Sequence, residues 1–263
     1  DFFMIIHRCF SSSVIIRNPN FGFRGFIFFL LLILFQKPIL YTQTSLYSNN
    51  IKRILLSTLL RVFGAEWVSP TLSDNLSTYG GNNGVKFLPF LVPSYYFNDQ
   101  SRSRILASSF RILAIGKYIP RKNHIELMQN LSKYCLQYNL PIDLTIVGEN
   151  KTLKHNLYFR KCIHCAKASE NSFLTIFLHQ NILPIHIPSF YYSTDLFVMY
   201  SYSEPASFSQ IPAIALGIPV LINCDNGTSN YISSHSNGFL LSDTSYSSLE
   251  KSLNSFFSIN NRR

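Results

Sequence analysis

Three charged side chains follow apolar runs, and their types point to a ligand that carries both hydroxyl and phosphate groups. Glu204 lies in a small, hydroxyl-rich turn after the apolar run 196–200. Lys117 and Lys122 lie five residues apart in a loop after the run 112–116. Two ammonium groups at this spacing can converge on one diphosphate and stabilise its charge as a bond to it breaks. A carboxylate accepts hydrogen bonds from hydroxyls, so the three side chains together predict a sugar-phosphate ligand.

The segment after Glu204 predicts a second place for phosphate. A short helix is expected from Gln210 to Leu216, and Gly217 suits its C-terminal cap. Helices that follow parallel strands present unpaired backbone N–H groups and the positive end of the helix dipole at their N-termini. We therefore expect phosphate to bind near the start of this helix.

Strands and helices alternate regularly through the second part of the chain. Strands are predicted at 112–116, 142–148, 174–178, 196–200, 218–223 and 238–241, and helices at 124–138, 153–168, 187–192, 210–216 and 245–257. This alternation predicts an α/β fold with a parallel sheet covered on both faces. Ligands of such sheets bind at the carboxyl ends of the strands, where the three charged residues lie. That position favours a functional role over the alternative, a solvated basic loop.

Residues 1–100 show a less distinct α/β pattern. Strands are predicted at 13–16, 38–42 and 67–70, helices at 21–35 and 51–64, and an extended, non-central segment at 85–92. The polar stretch 93–103 separates this part from the rest, so we predict two domains, 1–100 and 101–263. The longest apolar run, 26–35, has ten residues. Since a bilayer-spanning helix needs about 20, a buried helix is favoured there.

Composition indicates an anionic partner and a reducing compartment. The chain has 23 Lys and Arg against 13 Asp and Glu, a net charge of +10. This excess favours a nucleotide, an acidic lipid surface or nucleic acid, although it also fits a basic surface with no specific partner. Five cysteines without a disulfide-framework spacing suit a cytoplasmic protein. Cys162 and Cys165 form a lone C-x-x-C in a predicted helix, where incidental cysteines are favoured over a zinc or redox site.

Six segments in order resemble the C-terminal donor domain of family 4 glycosyltransferases. They are Gly116 with Lys117 and Lys122, 145–148, 192–195, Ser203 with Glu204, 217–220, and 237–238. The resemblance covers about residues 110–255, and order and spacing make it more specific than any single motif. It implies a retaining enzyme of the GT-B fold, with two Rossmann-like domains and parallel sheets. The N-terminal domain is expected to be incomplete, because the chain starts at Asp1 and the family's glycine-rich first loop is not seen.

The resemblance also implies roles for particular residues. Lys117 and Lys122, beside Gly116, correspond to the basic pair that binds the donor diphosphate, and Glu204 to the glutamate that contacts the donor sugar. The backbone amides expected near sugar and phosphate are those of Ser207, Phe208, Ser209 and Gln210. The family's second glutamate, which binds ribose, falls on Pro212, and proline cannot replace a carboxylate. For the acceptor-side catalytic histidine the corresponding place is Arg17 and Asn18, with His7 as the competing candidate.

The function expected from the resemblance is sugar transfer from a nucleotide-diphosphate sugar to a saccharide or lipid-linked acceptor in polysaccharide biosynthesis. No cofactor and no metal are expected, which fits the lack of a D-x-D pair. The protein is expected in the cytoplasm, in peripheral contact with an anionic membrane, and nucleic acid is not an expected partner. One alternative is a non-catalytic relative that binds a nucleotide sugar or a partner protein. Another is a basic α/β protein that binds nucleic acid or anionic lipid through its charge and ignores nucleotide sugars.

Overall fold

The computed structural model describes residues 89–97, 108–204, 207–233 and 236–260, with the short segments 15–17, 39–42, 62, 66–70 and 85–87. The chain divides into two compact units, Asp1–Phe90 and Leu91–Arg263. The boundary predicted from the sequence lies ten residues later, at 100. Tyr96 explains the difference, because its ring packs edge-on against Tyr191 at 5.7 Å and its carbonyl accepts a hydrogen bond of 2.7 Å from Tyr192 Oη. These contacts tie the segment before residue 100 to the second unit.

The described part of the first unit is a parallel sheet. Its strands are β1 (Ile15–Arg17), β2 (Ile39–Thr42), β3 (Glu66–Ser69) and β4 (Val85–Phe87), and they pair in that order. All three pairings are parallel, as the sequence predicted. The predicted helices 21–35 and 51–64 lie outside the described residues, except for residue 62. Among the helices that are described, none is both long and apolar enough to cross a membrane.

The second unit contains six strands and five α-helices in the described residues. The strands are β5 (Phe110–Ile115), β6 (Ile142–Gly148), β7 (Leu174–Gln180), β8 (Leu196–Met199), β9 (Val220–Asn223) and β10 (Gly238–Leu241). The helices are α1 (His124–Tyr138), α2 (Leu153–Ser169), α3 (Ile187–Tyr192), α4 (Gln210–Ala215) and α5 (Tyr246–Asn260). All sheet pairings are parallel, in the order β10-β9-β8-β5-β6-β7.

Successive side chains of a strand point to opposite faces of the sheet, and here both faces are buried under helices. In β5, Ile112 and Ala114 join one core cluster with residues of α1, α2 and α5. Leu113, between them, joins the other cluster with residues of α3 and α4. Helices thus cover both faces, which confirms the predicted α/β architecture.

Predicted and observed elements differ mainly at strand ends. β9 begins at Val220, whereas the sequence predicted a start at 218. The reason is local: Ile218 N donates to Ala213 O at 2.8 Å and so closes the end of α4, and Pro219 has no N–H for a ladder. Gly217 has φ +67, the left-handed conformation expected of a residue just after a helix.

The described cysteines are free thiols, namely Cys135, Cys162, Cys165 and Cys224. Cys162 and Cys165 lie one turn apart in α2, as predicted. Burial raises the pKa of the Cys162 thiol to about 12, although its hydrogen bond with Tyr158 acts in the opposite direction. Because thiolates are the metal-binding and nucleophilic form, Cys162 has the chemistry of a structural cysteine.

Candidate functional site

The strand order of the second unit reverses at one point of its sheet. From β5 the chain moves outward through β6 and β7, then returns to β8 on the other side of β5 and continues to β9 and β10. The order therefore reverses between β5 and β8. In open α/β sheets, ligands bind outside the carboxyl ends of the strands at such a reversal. The loops that begin at Gly116 and Tyr200 leave β5 and β8 at this point.

A cluster of three charged side chains joins these two loops. Lys122 Nζ lies 2.6 Å from Glu204 Oε2, and Arg121 Nη1 lies 3.0 Å from the same oxygen. Arg121 Nη1 also donates to the carbonyl of Ser203 at 3.2 Å. The side chains of Glu204 and Lys122 are only 6% and 10% exposed, whereas that of Arg121 is 37% exposed. The structure thus brings together Glu204 and Lys122, two of the three residues singled out from the sequence.

The Lys122 ammonium is poorly solvated in this cluster. Burial lowers its pKa, and although Glu204 acts in the opposite direction, the nearby charges of Arg121 and Lys117 lower it further. An ammonium group in this state is stabilised by any additional anion that approaches it. The cluster is therefore suited to bind a negatively charged group.

Lys117 lies at the exposed rim of the site. Its side chain is 58% exposed, and its Nζ is 3.8 Å from Glu149 Oε2, in the loop after β6. The other oxygen of Glu149 is 3.8 Å from Lys151 Nζ. Such exposed pairs contribute about 0–1 kcal/mol, so Lys117 can change partner at little cost. Arg121 contacts Glu204 directly, and sequence reasoning missed it although it lies in the same loop, next to Lys122.

Two glycines allow the loop after β5 to pack closely. A Cβ on Gly116 would lie 3.0–3.2 Å from the side-chain carbons of Lys122. A Cβ on Gly148 would lie 2.4 Å from Gly116 O and 2.8 Å from the ring of Tyr118. Tyr118 is fully buried, and its hydroxyl donates to His179 O at 2.8 Å. These contacts fix the path of the loop that carries Arg121 and Lys122.

His124, the first residue of α1, contacts the backbone at the start of the same loop. Its Nε2 lies 3.3 Å from both Gly116 O and Lys117 O. Burial lowers the pKa of His124 to about 4, against the two carbonyls, which raise it. The ring is therefore neutral at pH 7, and its single N–H is shared by the two carbonyl oxygens.

Backbone hydrogen bonds fix the loop that carries Glu204. Ser203 has φ +49, a left-handed conformation that is unfavourable for a residue with a Cβ. Its N–H donates to Asp225 Oδ2 at 2.7 Å, and Gly227 N donates to Glu204 O at 2.8 Å. Tyr202 N donates to Arg121 O at 3.2 Å. The loop after β9 therefore positions Glu204, and Asp225 contributes through its hydrogen bond from the backbone of Ser203.

The polar side chains around the start of α4 point into the protein. Gln210 is fully buried, and its side chain bonds to Thr228 and Asn226. Ser207 is 3% exposed, and its Oγ lies 3.9 Å from Met199 Sδ. Ser209 precedes the helix without a capping side-chain bond, and its carbonyl accepts from Tyr191 Oη at 2.6 Å.

The backbone around Phe208 and Pro212 accounts for the rest of this segment. Phe208 is partly buried, and its carbonyl accepts from Ile211 N at 2.9 Å. Pro212 is buried and occupies the third helical position, where an N–H has no partner within the helix. Its ring therefore fits the helix, but α4 has no carboxylate at this position.

The acceptor-side candidates fall mostly outside the described residues. Arg17 is the last residue of β1, whereas Asn18 and His7 are not described. Within the described part of the chain, no three His, Cys, Asp or Glu side chains are grouped to hold a metal ion.

Comparisons with known proteins agree on one kind of fold. The family profile described as "Glycosyl transferases group 1" matches residues 97–263. No curated protein matches the chain significantly. Among solved structures, a glycosyltransferase from Rickettsia africae has a TM-score of 0.76 at 14% identity, over 98% of this chain and 70% of its own. Sucrose-phosphate synthase from Thermosynechococcus elongatus has 0.71 at 17% identity, over 97% of this chain and 67% of its own.

A third similar structure contains a bound nucleotide sugar. It is Anabaena Alr3699/HepE in complex with UDP-glucose, with a TM-score of 0.68 at 14% identity, over 98% of this chain and 72% of its own. At such identities the likeness concerns the fold alone. These proteins have the GT-B fold, so the predicted fold class is confirmed.

Proposed function

The chain belongs to the group 1 glycosyl transferases, and from this premise we propose that it moves a sugar from a nucleotide-diphosphate donor to an acceptor hydroxyl. We further propose that the anomeric configuration is retained, that the acceptor is a saccharide or a lipid-linked sugar, and that no metal takes part. The donor complex of the similar Anabaena protein makes UDP-glucose the first donor to test.

The observation that carries this proposal is the Arg121, Lys122 and Glu204 cluster at the reversal of strand order. Two cations share one carboxylate oxygen, which leaves a net charge of +1 on a cluster in which Lys122 and Glu204 are largely buried. Within the described residues, both hydrogen bonds to the carboxylate end on Oε2, so Oε1 is available to a ligand hydroxyl. The cluster thus offers an anion site and a hydroxyl acceptor side by side, the two groups that a sugar diphosphate needs.

The cluster suits the charge changes of glycosyl transfer. As the bond between the anomeric carbon and the diphosphate oxygen breaks, its electron pair stays on the diphosphate, and the acceptor oxygen bonds to the carbon and loses its proton. Lys122 would stabilise the charge developing on the leaving diphosphate, with Arg121 and the rim residue Lys117 nearby. Glu204 would orient the donor sugar through its hydroxyls. The backbone of 207–210 would approach the sugar and phosphate, since the side chains of Ser207 and Gln210 are turned inward.

The test is a donor panel with the full chain and three variants. Release of the nucleoside diphosphate and transfer to saccharide acceptors would be measured for uridine, guanosine and adenosine diphosphate sugars. Glu204→Gln keeps the shape but removes the charge, and we expect it to lower kcat by about 100-fold or more while donor binding persists. Lys122→Gln should weaken donor binding and turnover together. Lys117→Gln should have a smaller effect than Lys122→Gln, because Lys117 is the more exposed of the two.

The controls separate this proposal from its competitors. Lys251→Gln removes a cation from the exposed surface of α5 and should leave both binding and turnover unchanged. If Glu204→Gln were as active as the unmodified chain, the role of the cluster would be refuted. A chain that binds none of the donors would contradict the whole proposal.

Pro212 favours a second candidate, a non-catalytic relative that binds a nucleotide sugar. The family's ribose-binding carboxylate is absent at this buried position of α4. Donor binding without turnover in the unmodified chain would support this candidate. Pro212→Glu should then increase affinity for the nucleoside diphosphate, whereas Ala213→Glu, its buried neighbour, should not.

A further inference from the structure

The outer face of α2 carries an unusual combination of cations and leucines. Between Lys151 and Ser169 the chain has five Lys and Arg residues and no Asp or Glu. The buried residues of α2 lie on one side, and the opposite side is exposed. The exposed side, here called the α2 outer face, consists of Leu153, Lys154, Asn156, Leu157, Arg160, Lys161, His164, Lys167 and Ala168.

Helical geometry places these residues in one stripe. At 100° per residue, Leu153, Leu157, Arg160 and His164 follow one another along the centre of the face, and Lys161 and Lys167 flank them. The helix is anchored at its start, where Thr152 Oγ1 accepts a hydrogen bond of 3.2 Å from His155 N. Its buried side packs against α1 and β7. The stripe is therefore presented on a fixed support.

The cations of the stripe have no carboxylate partners in the described part of the chain. Lys151 is the nearest basic residue with one, Glu149, at 3.8 Å. The leucines are also largely exposed, Leu153 at 78% and Leu157 at 52%. Exposed leucines lose free energy to contact with water, so two of them among cations indicate a surface that binds a partner.

We propose that the α2 outer face docks on an anionic lipid surface. A helix with cations and leucines on one exposed face can lay its leucines among lipid headgroups while its cations meet the lipid charges. Each lysine or arginine near such a surface strengthens binding about fivefold. Nucleic acid would use the cations equally well but gains nothing from Leu153 and Leu157, so the leucines favour lipid. This inference does not depend on the proposed glycosyl transfer.

The test measures binding of the full chain to vesicles by flotation. Vesicles of phosphatidylcholine alone would be compared with vesicles containing about 30% phosphatidylglycerol, which supplies the anionic surface. We expect binding only to the anionic vesicles. Lys161→Glu should weaken it by roughly 25-fold, since one positive charge is lost and one negative charge is gained, each worth about fivefold. Leu157→Asn should weaken it about tenfold without a change in charge.

The matched control is Lys251→Glu on α5. It changes the net charge by the same amount, but α5 packs beside β10, at the opposite edge of the sheet from β7. We expect less than a twofold loss of vesicle binding, compared with roughly 25-fold for Lys161→Glu. Arg160→Gln serves as a milder second variant on the α2 outer face, and circular dichroism would verify the folding of each variant.

Several results would overturn the proposal. Equal losses from Lys161→Glu and Lys251→Glu would mean that net charge alone drives binding. Unchanged vesicle binding by Leu157→Asn would remove the reason to prefer lipid. Tighter binding to a DNA duplex than to anionic vesicles, lost in Lys161→Glu and kept in Leu157→Asn, would assign the face to nucleic acid. No vesicle binding by the unmodified chain would refute the proposal directly.

Discussion

His124 should make the stability of the second unit depend on pH in mildly acidic solution. Burial lowers its pKa from the ordinary value of 6.5 to about 4, although its two backbone carbonyl partners raise the pKa. Between these values the unfolded chain binds a proton that the folded chain does not, so unfolding becomes easier as pH falls. The contribution of neutral His124 to the free energy of unfolding is complete above pH 6.5 and is lost progressively down to about pH 4.

The size of the effect follows from the same two values. Each pH unit between them is worth about 1.4 kcal/mol, so full protonation costs about 3 kcal/mol. Between pH 7 and pH 5 we expect the free energy of unfolding to fall by about 2 kcal/mol through this residue. His124→Gln provides the comparison, because an amide N–H can donate to Gly116 O and Lys117 O but does not titrate.

The assay is urea unfolding of both proteins at pH 7 and pH 5. Far-UV circular dichroism reports on the whole chain, and labelling of the buried Cys135 and Cys162 thiols reports on the second unit alone. The pH-dependent loss should be smaller in His124→Gln by about 2 kcal/mol. His164→Gln, at an exposed position of α2, tests whether loss of any histidine has this effect. Equal pH dependence in the unmodified chain and His124→Gln would refute the reasoning.

Three further predictions concern the site. Gly148→Ala should destabilise the second unit by about 2 kcal/mol and weaken donor binding, because its Cβ would lie 2.4 Å from Gly116 O; urea unfolding that matches the unmodified chain would contradict this. Ser203→Val should lower the free energy of unfolding by about 2 kcal/mol and Ser203→Gly by less, because a β-branched residue is strained at positive φ; equal effects in urea titrations would show that φ is unimportant there. Transfer activity should be unchanged by excess EDTA, because Lys122 and Arg121 supply the positive charge; activity that EDTA removes and Mg²⁺ or Mn²⁺ restores would disprove a metal-free reaction.

Local sequence signals predicted the elements of the second unit well. α1 was predicted at its observed bounds because apolar residues recur at helical spacing from Leu127 to Cys135. The C-terminal end of α4 was also predicted from the sequence, because Gly217 adopts the left-handed conformation that glycine favours after a helix. The spacing of apolar residues does not show which strand pairs with β5, so it did not predict the order of the strands. The sequence therefore predicted a parallel sheet without the order of its strands.

The site was predicted in part, and the reasons are geometric. Lys122 and Glu204 were both singled out at strand ends, and the structure brings them within 2.6 Å of each other. Lys117 was paired with Lys122 from their spacing, their place at a strand end and the family resemblance; in the structure its Nζ lies 3.8 Å from Glu149 Oε2, in the loop after β6. Arg121 was overlooked because sequence spacing does not show which side chain of a short turn reaches the neighbouring loop. The hydrogen bond from Ser203 N to Asp225 Oδ2 joins the loops after β8 and β9, so predicting it requires the strand order.

The contacts that hold Glu204 explain how the chain can lack a carboxylate at residue 212 and keep the site. Glu204 is fixed by Arg121, Lys122 and the N–H of Gly227, and none of these belongs to α4. Pro212 leaves the helix intact, since its carbonyl still accepts from Leu216 N at 2.9 Å and its position needs no N–H. In the proposed complex, the side chains expected at the donor sugar and diphosphate therefore belong to other elements than the position expected at the ribose. Under the proposed mechanism, a change at residue 212 should alter affinity for the nucleoside, whereas a change in the charge cluster should alter the rate at which the bond to the diphosphate breaks.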